Sequence, residues 1–136
     1  MPTDTLPPNR HATLCVVPMP ADTNAAGNIF GGWLMSQVDI AGSIVALRRA
    51  QGPVTTVAVN AFHFQKPVYV GDVVSLYAEV MRVGATSITV DIVVYAERGL
   101  RQRSVEDNVE KVAEATLTYV AIDAGYHKRP VPPEAR

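Results

Sequence analysis

The stretch Gly31–Ala50 reads GGWLMSQVDIAGSIVALRRA, and its reading decides the fold. Helix formers run through it, and apolar residues (Trp33, Leu34, Met35, Val38, Ile40, Ile44, Val45, Leu47) fall on nearly every face. A helix patterned in this way is expected to be enclosed on all sides. Gln37 and Asp39 sit in the middle of its apolar part, Gly31 to Leu47, which is at the short limit for a bilayer, so a buried helix is a better reading than a membrane span. Gln51-Gly52-Pro53 is its stop signal.

Outward from this helix the pattern changes. Upstream, residues 12–17 form a short β-prone run closed by Pro18 and Pro20, and residues 21–28 are rich in turn formers. Downstream the period falls to two. Val74, Leu76, Ala78 and Val80 alternate with polar neighbours, as do Ile88, Val90, Ile92 and Val94, while residues 54–65 and 112–122 supply two further strands. Turns are expected at Val70-Gly71-Asp72 and Val83-Gly84-Ala85, and a charged, polar joint at about residues 98–108. The order strand, loop, helix, four strands predicts an α+β fold, an antiparallel sheet curling around one helix. One sheet on one helix leaves edges open, and pairing with a second copy closes them, so a homodimer is expected.

With 136 residues and 48% hydrophobic content, the chain has the size of one domain. Its predicted bounds are residues 12–123, between a flexible N-terminus (1–11) and an irregular, basic and proline-rich tail (124–136). A formal net charge of −1 with interspersed signs makes no electrostatic case for nucleic acid or an anionic membrane. Residues 1–10 lack the charged and greasy regions of a secretory signal. Cys15, the one cysteine, excludes an internal disulfide and a cysteine-rich metal site, so a reducing, cytoplasmic setting is expected. In its strand, Cys15 reads as a small core residue.

Two features in and before the helix can carry chemistry. Asp39 lies mid-helix, where aspartate has poor propensity and the surroundings are too apolar to welcome a carboxylate. Ser36, Gly42 and Ser43, one turn away, are read as leaving space beside it for a ligand or water. The plain alternative is a structural carboxylate bonded to a loop. The second feature is the loop from Ala21 to Gly32, which ends on two glycines at the helix start. The unpaired amides of Gly31 and Gly32, with the positive end of the helix dipole behind them, suit an oxyanion or a carbonyl oxygen. Asn24 adds a side-chain donor, although a Gly-Gly pair and an asparagine before a helix also serve as ordinary turn residues. Gly31 and Asp39 are eight residues apart. That is about 12 Å along a helix, too far for one carbonyl carbon to touch both. If both act on one substrate, they come from different subunits.

The run Met19-Pro20-Ala21-Asp22-Thr23-Asn24, with Gly27, Ile29-Phe30-Gly31-Gly32-Trp33, Met35-Ser36-Gln37 and Asp39, resembles the YciA-type acyl-CoA thioesterases, relatives of brain acyl-CoA hydrolase. The likeness continues through Val57-Ala58-Val59, Phe64, Lys66-Pro67-Val68, Val70-Gly71-Asp72, Ser87 and residues 118–123. It implies a hotdog fold, a five-stranded antiparallel sheet around one central helix, with dimers as the catalytic unit and often a trimer of dimers. It also implies hydrolysis of acyl-CoA without a cofactor or metal, coenzyme A being part of the substrate. By analogy Asp39 activates water or attacks the thioester, while Asn24, Gly31 and Gly32 polarise its carbonyl. Lys66, Arg82, Thr86, Ser87, Lys128 and Arg129 are the expected contacts to the CoA moiety, and Trp33, Met35 and Phe62 the expected acyl lining. Asn60 stands where many relatives have aspartate, which puts a transfer of chain-length preference in doubt. The rival readings are a non-catalytic acyl-CoA-binding module and a hotdog hydratase. The latter needs a His–carboxylate pair, for which His63 has no evident partner.

Overall fold

The computed structural model describes residues 4–98 and 108–134, so most of the charged joint and the chain ends lie outside the described residues. Strand β1 (Leu14–Val16) is followed by a 3-10 turn (Pro20–Asp22), helix α1 (Gly31–Ala50) and strands β2 (Val54–Phe64), β3 (Val73–Val83), β4 (Ser87–Glu97) and β5 (Val109–Ala121). The strands form one antiparallel sheet in the order β1-β3-β4-β5-β2. The predicted α+β architecture, a sheet around a single helix, is the one observed.

Alternation builds the core. Ile88, Val90, Ile92, Val94 and Ala96 of β4 all point at the helix with no exposure. The helix answers with Leu34, Val38, Ala41, Ala46 and Ala50, a stripe at helical spacing whose small members let the sheet come close. Gln51, in the left-handed conformation, closes the helix at the predicted stop. Arg129 of the tail completes that end: its Nε donates to Ile122 O (2.8 Å) and its Nη2 to Ala50 O (2.9 Å). A cation at a helix C-terminus is favoured by the dipole. Arg49 and Val131 fasten the tail further, through Pro132 O and Ala85 O.

Two expectations are corrected here. The helix is not enclosed on all sides: Met35, Ile40 and Leu47 are 39%, 47% and 50% exposed. One five-stranded sheet can cover only one side of a cylinder, so the apolar residues of the other side face outward. Cys15 is exposed rather than in the core, because the alternation of β1 turns Leu14 and Val16 inward and puts the thiol on the opposite face, 3.7 Å from Ser75 Oγ.

β2 lies at one sheet edge, with β5 as its one sheet neighbour. It is 11 residues long, and Val57, Val59 and Phe64 on it are 53%, 47% and 53% exposed. Its register against β5 shifts twice, between Thr56 and Ala58 and between Val59 and Ala61. Such bulges re-aim side chains at edges and beside active sites.

Candidate active site

The loop before the helix is held by its own backbone and by Asn24. Asn24 Oδ1 accepts from Ala26 N (2.9 Å) and Asn28 N (3.1 Å), and Asn24 N donates to Asn28 O (2.7 Å). With its carbonyl oxygen so engaged, the amide NH2 of Asn24 is the end left for a ligand. Phe30 N donates to Asp22 O, and Ile29 N to Val68 O, which ties the loop to the segment after β2. That segment is anchored by a buried ion pair between Arg98 and Asp72, and by Arg98 Nη2 donating to Pro67 O (2.9 Å).

No side chain caps the helix start at Phe30. The first-turn amides of Gly31 and Gly32 are therefore available to an acceptor from outside the chain. A Cβ on Gly31 would come within 3.2 Å of the Phe64 ring, whereas one on Gly32 would meet nothing within 4 Å. A cleft of about 320 Å³ opens here, lined by Asn24, Asn28, Phe30, Gly31, Phe64 and Lys66 among others. Three expected site residues, Asn24, Gly31 and Lys66, thus share one cleft, and Gly32 adjoins it in sequence.

Asp39 opens elsewhere. Its Oδ1 accepts from Thr56 Oγ1 (2.7 Å) and lies 3.1 Å from the Tyr119 hydroxyl, which is also 2.9 Å from Asp39 O. Burial, reinforced by the neighbouring Asp39 charge, pushes the Tyr119 phenol far above its ordinary value, so it stays protonated and acts as a donor. Oδ2 has no partner among the described residues. A groove of about 230 Å³ passes the carboxylate, bordered by Met35, Ser36, Thr56, Val59, Phe62 and Leu117. Of the expected acyl-lining residues, Met35 and Phe62 are in this groove, while Trp33 packs against the core instead.

The space read beside Asp39 is also different. Gly42 is filled rather than vacant: a Cβ there would stand 2.3 Å from the Tyr119 hydroxyl. Ser43 turns back to Ile40 O (2.7 Å), which leaves Ser36 alone of the three at the groove.

The other expected CoA contacts lie near the opposite end of the helix. Arg82, Thr86 and Ser87 belong to the β3–β4 hairpin, and Lys128 bridges to Ile122. Arg129, expected at a phosphate, has its guanidinium turned onto backbone carbonyls at the helix end. Asn60 accepts from Thr118 Oγ1 (2.7 Å) at the edge of the sheet. His63 pairs in register with Glu114 and borders a separate groove with Asp91, away from Asp39; the partner of Glu114 is Lys111, at 2.6 Å.

Thr56 and Tyr119 went unnoticed in the sequence. A tyrosine between Leu117 and Ala121 on an inward-facing strand register was the available signal, since a buried hydroxyl needs a partner. Thr56 gave none, because the two bulges spoil the alternation that would assign its face. Among the described residues no group of three or more His, Cys, Asp or Glu is arranged to hold a metal ion, and no helix is long and apolar enough to cross a membrane.

A family model described as the thioesterase superfamily matches residues 26–102. The acyl-CoA thioester hydrolase YciA of Salmonella typhimurium is 46% identical over 129 residues, 92% of each chain. A hexameric thioesterase from Yersinia pestis superposes with a TM-score of 0.84 at 46% identity, covering 93% of this chain and 99% of that one. A hexameric hotdog fold thioesterase of Campylobacter jejuni gives 0.83 at 40% identity, over 90% and 91% of the two chains.

Proposed function

The chain belongs to the thioesterase superfamily, and from that membership we propose that it hydrolyses acyl-CoA to a free carboxylic acid and CoA at sites each built from two chains. The observation that carries the two-chain reading is the disposition of the donors and the carboxylate. They stand on one helix about 12 Å apart and face clefts that share no lining residue. Each cleft holds half of what thioester hydrolysis needs. A second copy laid along β2 would cover the exposed apolar residues of that strand and of α1, and would bring opposite halves together. The relatives from Yersinia pestis and Campylobacter jejuni are hexamers, and a trimer of such dimers is the assembly we assign to this chain.

In the assembled site the thioester oxygen accepts from the Gly31 and Gly32 amides and the Asn24 amide of one chain. Asp39 of the other chain, through Oδ2, takes a proton from water as the water oxygen bonds to the carbonyl carbon. Collapse of the tetrahedral intermediate breaks the C–S bond and expels CoA as the thiolate. A carboxylate is a weak base, and the good leaving group makes that sufficient. Thr56 orients Asp39, Met35 and Phe62 border the acyl chain, and Lys66 meets CoA phosphate. Arg82, Thr86, Ser87 and Lys128 serve CoA bound to a neighbouring chain, while Arg129 is reserved for the helix end. The reaction needs no cofactor of its own. A lone exposed thiol suits a reducing cytosol.

The test is thiol release from an acetyl- to palmitoyl-CoA panel, followed by mixing of subunits. Asp39→Asn and Asn24→Ala chains, each strongly impaired alone, are expected once exchanged to exceed the sum of their separate activities. Binding without thiol release would favour a sensor. Exchange without recovery would refute the shared site.

A further inference from the structure

Among the described residues Tyr119 is the largest side chain with no solvent exposure, and its one hydroxyl proton is shared between two acceptors of Asp39. Three separate elements converge to make that contact. In the register of β5 against β2, Tyr119 stands opposite Thr56, and both hydroxyls reach the same oxygen, Oδ1. From the helix, Gly42 admits the phenol. A Cβ at that position would lie 2.3 Å from the hydroxyl oxygen and 3.0 Å from the ring carbon that bears it, closer than real atoms approach. No flexible side chain is available to yield, because the clash is with a ring packed in the core.

The chemical consequence concerns Oδ2. The terminal torsion of an aspartate is soft, and an unrestrained carboxylate samples a broad range of orientations. Two donors on Oδ1 fix the plane of the group and leave Oδ2 as the oxygen that faces the groove. The single Tyr119 proton lies between Oδ1 (3.1 Å) and Asp39 O (2.9 Å), so one shared donor ties the carboxylate to the backbone from which it hangs. A base must be held within a fraction of an ångström of its proton, and loss of such support costs rate rather than binding.

We infer that Tyr119, admitted by Gly42, is a positioning residue for hydrolysis that acts through Asp39. The inference rests on the reading of Asp39 as the base. In Tyr119→Phe, kcat is expected to fall about 10- to 100-fold with KM for acyl-CoA changed by less than about 2-fold. Gly42→Ala, which keeps every polar group and displaces only the phenol, is expected to move kcat in the same direction. The decisive measurement is the double variant: Asp39→Asn with Tyr119→Phe should be no slower than Asp39→Asn alone, whereas a merely structural tyrosine would cost the same factor in both backgrounds. Circular dichroism and a thermal melt establish that each variant is folded. Should Tyr119→Phe prove unstable, Gly42→Ala and its double with Asp39→Asn carry the same comparison. Folded Tyr119→Phe with turnover within about 2-fold of the parent, or a full additional loss in the double variant, would overturn the positioning role. Near-normal turnover in Asp39→Asn would instead remove the base reading itself.

Discussion

The two ends of the first half of helix α1 are built by different means. At Gly31 the groups proposed to act are backbone amides, and the asparagine beside them is fixed by bonds to residues two and four positions away. At Asp39 the group proposed to act is a side chain, and its partners are 17 and 80 residues distant. The first end is therefore a local construction that a loop and a helix start can make almost alone. The second exists only when β2 and β5 have closed on the helix in the right register. A donor site can be assembled from secondary structure, whereas an oriented carboxylate in an apolar helix needs tertiary support.

That contrast sets the order of expected effects. Asp39→Asn removes the proton acceptor itself and should lower kcat by about 10³-fold or more in a thiol-release assay, with CoA still bound in calorimetry. Turnover near normal would leave the carboxylate end with a structural role only. Asn24→Ala removes one of several donors and should cost about 10²-fold in kcat. An effect confined to KM would make the loop a binding device and erase half of the comparison. Thr56→Ala, which deletes one of two donors to Oδ1, is expected to lower kcat about 10-fold, and Thr56→Ser to restore most of it. Equal losses in both would mean that the methyl group, not the hydroxyl, matters. Smallest is Gly32→Ala, where the chain offers room for a Cβ. The melting temperature should hold or rise slightly while KM increases a few-fold, the mark of a close ligand rather than of a strained fold. A lowered melting temperature with unchanged KM would contradict that.

The same contrast explains what could be read from the sequence. The helix from Gly31 to Ala50, its stop at Gln51 and the alternating strands were legible because each depends on short-range periodicity and turn chemistry. Asp39 stood out because a carboxylate is unusual in an apolar helix, and Asn24, Gly31 and Gly32 because they gather donors at a helix start. Tyr119 and Thr56 did not, since their meaning comes from strand register, and β2 carries two bulges that no alternation rule anticipates. Arg129, expected at CoA, has its guanidinium on backbone carbonyls instead, because the tail folds back over the last turn of the helix, which no local pattern announces. Gly42 was read as space when its function is to be occupied.

The open edge of β2 makes concentration a variable of the chemistry. An 11-residue strand with exposed valines and a phenylalanine has no covering among the described residues, so its burial by a second copy would obey mass action. On the proposed two-chain site, activity falls on dilution, because a separated protomer carries both half-sites and completes neither. On the same reading acyl-CoA, by bridging the two halves, binds the pair better than the single chain and so draws protomers together. Substrate and abundance then act on the same equilibrium, and the sheet edge serves as its sensor.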